Sequence, residues 1–202
     1  MSLSAFLSAY DPSDLPGGSI DPLGFERAYL WLAERWLPGM TNVATSPRYF
    51  GMMCGAIRLV NRQGEAPQLL ARRRRDVIMR MERYWALANA LAAQGGGLAL
   101  SGLRGVTFAQ NVAKGLQEKS QTRADARFPL LASQAPYGAL GIYGSVAERC
   151  QLLYRSNWET TPGVGDVIGD AFLDETKVPE SLRDAAVNDQ KNVSIKLLTE
   201  WG

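Results

Sequence analysis

The residues best placed to do chemistry in this chain are arginines. Arg72-Arg73-Arg74-Arg75 run without a break, and Arg80 and Arg83 follow closely. The guanidinium is a planar fork of donors that pairs bidentately with phosphate or carboxylate. Three destinations are open to it here: nucleic-acid phosphates, carboxylates of a partner or of the chain's own acidic C-terminal segment, or solvent. On a helix, consecutive residues point about 100° apart, so four in a row spray around the axis. At least one of the four must turn towards the core and find a carboxylate or carbonyl there. Arg72, Arg75 and Arg83, with Arg62 and Arg104 near them, would line a phosphate-binding face.

Catalytic sets are scarce. The 202 residues include no histidine, which removes His-based acid–base chemistry, the Ser-His and Cys-His triads and the commonest zinc ligand sets. Cys54 and Cys150 sit in helical patterns and read as small hydrophobes in a reducing cytoplasm. Asp166 with Glu175-Thr176-Lys177 spells the D…ExK order of one class of metal-dependent nucleases, but that chemistry needs adjacent strands and these residues fall on a helix and its end. Gly95-Gly96-Gly97 and Gly102-x-x-Gly105 lack the Lys-Ser/Thr of a phosphate loop and read as linkers. The expectation is therefore a protein that is not an enzyme, with no metal and no cofactor.

The element that must position the arginines is a helix from Ala66 to Ala93. Pro67 suits its first turn, and no Gly or Pro intervenes before Gly95. Leu70, Val77, Ile78, Met81, Trp85, Ala88 and Leu91 or Ala92 recur at helical period and make one apolar stripe. Before it, Asp21-Pro22 and Ser46-Pro47 each give a cap-plus-proline start, the first helix ending at Leu37-Pro38-Gly39 and the second near Arg62. Gly51 and Gly55, four apart on the second helix, would let another helix approach closely. After the triple glycine a helix is expected from Val106 to Lys119, then a polar connection or helix extension over 120–127. FPLLASQ reads as a short helix, APYGALG as a turn, and IYGSVAERCQLLYR as a helix that becomes extended at Leu152 to Tyr154. Helices then start at Pro162 and Pro179, and Val193 to Trp201 is amphipathic.

Charge is uneven along the chain. Residues 46–127 carry 14 basic and 5 acidic side chains, whereas residues 156–202 carry 4 and 9. Arginine outnumbers lysine 17 to 5, which suits bidentate pairing. No apolar run approaches the roughly 18–20 residues of a membrane span, and the first residues lack the pattern of a signal peptide, so a cytoplasmic protein is expected.

Residues 128–174 resemble the second half of a winged-helix domain. Leu152-Leu153-Tyr154 would be a first strand, Arg155 to Asn157 a wing, Trp158 to Thr161 a return strand, and Pro162 the start of a closing helix. That resemblance implies DNA contact, yet the would-be recognition helix offers only Arg149, beside Glu148, and Arg155 at the wing would meet a phosphate without reading sequence. The overall look is similar to helical accessory proteins of bacterial phage-defence systems. The expected architecture is mainly α: a helical domain over 1–127 with a long central basic helix, then a winged-helix-like module with an acidic helical tail over 128–202. The expected role is a DNA-associated accessory subunit contacting phosphates through Arg72, Arg73, Arg74, Arg75, Arg80, Arg83, Arg149 and Arg155. Trp201 would anchor a protein partner or a second copy. The other reading is a protein–protein scaffold that binds no nucleic acid.

Overall fold

The computed structural model describes residues 24–36, 44, 46–61, 66–94 and 102–202. The chain divides into two units, Met1–Met40 and Thr41–Gly202. The first contributes one described helix, α1 (Phe25–Trp36). Its Phe25, Tyr29 and Leu32, spaced i, i+4, i+7, are exposed, and the Arg35 guanidinium lies 5.7 Å from the Trp31 ring centroid.

The second unit is built on α2 (Arg48–Asn61) and α3 (Pro67–Gln94), followed by α4 (Val106–Glu118) and strand β1 (Arg123–Asp125). A short α5 (Gln134–Tyr137) leads into α6 (Ala139–Arg149) and the hairpin β2 (Leu153–Tyr154) and β3 (Glu159–Thr160). The chain ends with α7 (Val164–Glu175), α8 (Glu180–Val187), β4 (Asn192–Ser194) and α9 (Ile195–Trp201). The described residues are mainly helical, with two two-stranded antiparallel ribbons.

Helix α3 is the axis. From Val77 to Leu91 it is buried on nearly every side, because α2, α4, α6, α8 and α9 all pack against it. The apolar stripe legible in the sequence is the core seam: Val77, Ile78, Met81, Trp85, Ala88 and Leu91 are buried, and Leu70 is partly so. The first turn, Pro67 to Leu69, is exposed, and the arginine run that follows alternates between exposed and buried positions.

Helix α2 meets α7 through glycines. A Cβ on Gly55 would come within 2.9 Å of the Phe172 ring, and one on Gly169 within 2.8 Å of the Cys54 backbone. The crossing is clamped at its edge by Arg58, whose Nε and Nη2 donate to the two carboxylate oxygens of Asp170, each at 3.0 Å, while Nη1 reaches Asp166 at 3.2 Å.

Two local expectations are corrected. Residues 123–125, read as a connection or a helix extension, form β1, and β1 pairs with β4 in the register Arg123↔Ser194, Ala124↔Val193, Asp125↔Asn192. The helix expected over FPLLASQ is displaced to QAPY, where a turn was expected, with Gly138 separating it from α6. Gly138 is needed there because a Cβ would strike the Glu82 carboxylate and the Gln134 carbonyl, each at 2.6 Å. The boundary expected between residues 127 and 128 falls inside the second unit, whose two halves are joined by β1–β4, α2–α7 and α3–α9 contacts.

Candidate functional site

The six arginines of α3 divide into two groups. Arg72 and Arg75 are exposed on the outer face, one turn apart. The other four turn inward. Arg74 is 5% exposed; its Nη1 donates to the Asn157 carbonyl at 3.0 Å, and Nη2 lies 3.7 Å from Glu159. Asn157 in turn donates its side-chain amide to Glu159 at 2.8 Å, so α3 grips the turn of the β2–β3 hairpin. Arg80 donates to the Ala186 carbonyl at 2.7 Å and to the Asp189 carboxylate at 3.0 Å, and Arg73 reaches the Val187 carbonyl at 3.4 Å. These carbonyls belong to the last turn of α8, the negative end of that helix, where a cation is stabilising. Arg83 is half-buried, donates to Met79 of its own helix at 3.3 Å, and burial lowers its pKa.

At Arg72 lies an open groove of about 400 Å³, lined also by Leu69, Arg73 and Asp76. Leu69 is 64% exposed. Cationic, apolar and anionic side chains thus share one strip of helix surface.

The remaining sequence candidates lie on other elements. Arg149 and Arg155 are exposed at the end of α6 and in the hairpin turn. The turn is tied down at its end: Trp158, at φ 52°, is buried, and a Cβ on Gly144 of α6 would lie 2.9 Å from its ring. Trp201, expected as an exposed anchor, is partly buried against the core of its own chain. The following Gly202 packs so closely on the Ala88 carbonyl that a Cβ there would overlap it. Asp166 serves Arg58 and accepts the Thr160 hydroxyl at 2.5 Å, and Glu175 lies nine residues further along α7, roughly 13 Å away. A shared metal ion cannot bridge that span. Among the described residues no group of three or more Cys, Asp or Glu could hold a metal ion. Cys54 is buried, and its thiol pKa is pushed up to about 12 by desolvation. Arg62 and Gly95-Gly96-Gly97 lie outside the described residues.

Sequence reasoning missed Glu82. Its carboxylate is 1% exposed, accepts the Ala139 N–H at the first residue of α6 and the Gln134 amide, each at 2.8 Å, and is raised in pKa by burial. The available signal was its position, one residue from Met81 and three from Trp85 on the apolar stripe. Gly102 and Gly105 both adopt positive φ, and a Cβ on Gly105 would lie 2.4 Å from the Leu130 carbonyl, so the pair shapes a tight entry into α4.

No protein-family model matches the chain, and no curated protein or solved structure matches it either.

Proposed function

We propose that this chain is a non-catalytic assembly subunit of a cytoplasmic machine, and that it works by binding another protein through the outer face of the first turns of α3. The observation that carries this reading is the division of the arginines. Arg73, Arg74 and Arg80 hold the chain's own carbonyls and carboxylates, which leaves Arg72 exposed beside Leu69 and Asp76 and Arg75 exposed one turn on. Arginine is enriched at protein interfaces, and the exposed Leu69 beside Arg72 adds apolar area that a protein partner would bury. A DNA duplex would gain nothing from Leu69 and would be repelled by Asp76. The turn of the β2–β3 hairpin is held to α3 through the Asn157 carbonyl, which suits a docking edge better than a wing laid on DNA.

Two measurements test the reading. Affinity capture from the native host is compared for the wild-type chain and a Leu69→Asp variant whose fold is checked by circular dichroism. A partner held by the first and lost by the second supports it; a partner retained equally by both removes α3 from the interface. Binding to a random DNA duplex is then followed from about 50 to 300 mM salt. Six phosphate contacts would give a slope of log K on log salt of about −5, whereas Arg72 and Arg75 alone give about −2. The steeper slope would restore the DNA-associated accessory role.

A further inference from the structure

An open cavity of about 300 Å³ is lined by Gly102, Leu103, Arg104, Gly105, Leu131 and Tyr143, all in the second unit. That volume lies at the small end of the range for small-molecule sites, about 300–1,000 Å³. The polar side chains of its wall are donors. The Arg104 Nε is anchored on the Tyr137 carbonyl at 2.5 Å, and its two Nη groups meet no acceptor among the described residues. Tyr143 is 1% exposed; its hydroxyl accepts the Ser46 N–H at 3.2 Å, and its own hydrogen meets no acceptor among the described residues. Stacking on Tyr49, with ring centroids 4.3 Å apart, holds the Tyr143 ring in place. The Gly102, Leu103 and Gly105 N–H groups likewise meet no acceptor among the described residues. Leu103, Leu131 and the Tyr143 ring supply the apolar part of the wall.

We propose that this cavity binds a small organic carboxylate, held by the Nη groups of Arg104 and the hydroxyl of Tyr143. What the cavity lacks is an acceptor rather than a charge. Glu82 acts on Arg104 from inside the core, but it is 1% exposed and its oxygens already accept from Gln134 and Ala139. A carboxylate is an acceptor-only group whose two oxygens match the guanidinium fork. A bare phosphate would meet the same donors and leave the leucines and the tyrosine ring uncovered, whereas an organic carboxylate covers both kinds of wall. The anchored Nε and the stacked ring fix the donors before the ligand arrives, which lowers the cost of binding. The cavity shares no lining residue with the Leu69–Arg72 groove, and the proposal does not depend on the protein-binding role.

The test is a titration of the isotope-labelled full chain with sodium benzoate, followed by amide NMR, beside benzamide and sodium phosphate at matched ionic strength. Benzoate should shift the Gly102, Leu103, Gly105 and Leu131 amides along saturable curves. Benzamide has the same shape without the charge and should bind about tenfold or more weakly. Arg104→Gln should weaken benzoate by a similar factor, and Arg104→Lys, which keeps the charge and loses the fork, should fall between. Tyr143→Phe keeps the stacked ring and should weaken benzoate by a smaller factor. Spectra otherwise unchanged show that each variant is folded, and the benzamide comparison stands even where a variant is not. No saturable shift of those amides, equal binding of benzamide, or benzoate binding unchanged in Arg104→Gln overturns the proposal. Phosphate bound more tightly than benzoate overturns the assignment to an organic carboxylate.

Discussion

Replacing Arg74 by alanine separates a structural arginine from a phosphate-contacting one. Its hydrogen bond to the Asn157 carbonyl, at 3.0 Å, is charge-assisted and contributes about 1.5–3 kcal/mol. The Glu159 partner lies at 3.7 Å with 46% of its side chain exposed, so that pair adds less than about 1 kcal/mol. The buried stem adds about 0.8 kcal/mol per methylene lost from the interior. Against these stand the relief of guanidinium desolvation and the better helix propensity of alanine. The net loss works out at about 2–4 kcal/mol, or a fall in Tm of about 5–15 °C for a chain of this size. Urea unfolding followed by tryptophan fluorescence is the assay, because Trp158 sits in the turn that Arg74 holds. Arg72→Ala and Arg75→Ala, on the exposed face, should stay within about 0.5 kcal/mol of wild type. A loss below about 0.5 kcal/mol for Arg74→Ala would refute the reasoning. It would return that side chain to solvent and the whole run to the phosphate-binding reading.

Three further outcomes follow from the packing. Gly169→Ala pushes a methyl into the Cys54 backbone and should cost about 1–3 kcal/mol in chemical denaturation; Gly55→Ala meets the Phe172 ring and should cost less, since a side chain yields more easily. Lys177 holds φ 49° at the residue after the α7 cap, so Lys177→Gly should raise stability by about 0.5–1 kcal/mol, read as an increase in the urea midpoint at unchanged m. Burial raises the Glu82 pKa, so the folded state binds a proton more tightly than the unfolded one. Its contribution to stability is fully present below the ordinary carboxylate value near 4.5 and is lost as pH rises through the raised value. Thermal midpoints measured across that range should fall with pH for the wild type relative to Glu82→Gln; parallel curves would show that Glu82 is not the titrating group.

The sequence by itself determined the helices and the axis they pack around. The Ser46-Pro47 start, the Pro67 start and the apolar stripe from Val77 to Leu91 are local signals. The hydrogen bonds and side-chain periodicity that make a helix are local as well, so α2, α3 and α4 appear within two residues of where the sequence places them. The Gly51 and Gly55 pair likewise announced a close helix contact, without naming α7 as its partner. The hairpin of β2 and β3 was legible because its strands are adjacent in the chain. The pairing of β1 with β4 was not. Three residues of each carry no pattern of their own, and their hydrogen bonds are satisfied by a segment almost seventy positions away.

The same distinction governs the candidate site. Helical geometry required one arginine of the run to face inward, but only the tertiary structure decided which, because the carbonyls of Asn157, Ala186 and Val187 are brought to α3 by elements far along the chain. Glu82 offered only its place on the apolar stripe as a signal; its role came from α6, which brings the Ala139 N–H to its carboxylate. Charge composition is a property of the sequence. Which charges remain to meet a partner is a property of the fold, because each buried ion must find its counterpart before any surface is left for binding.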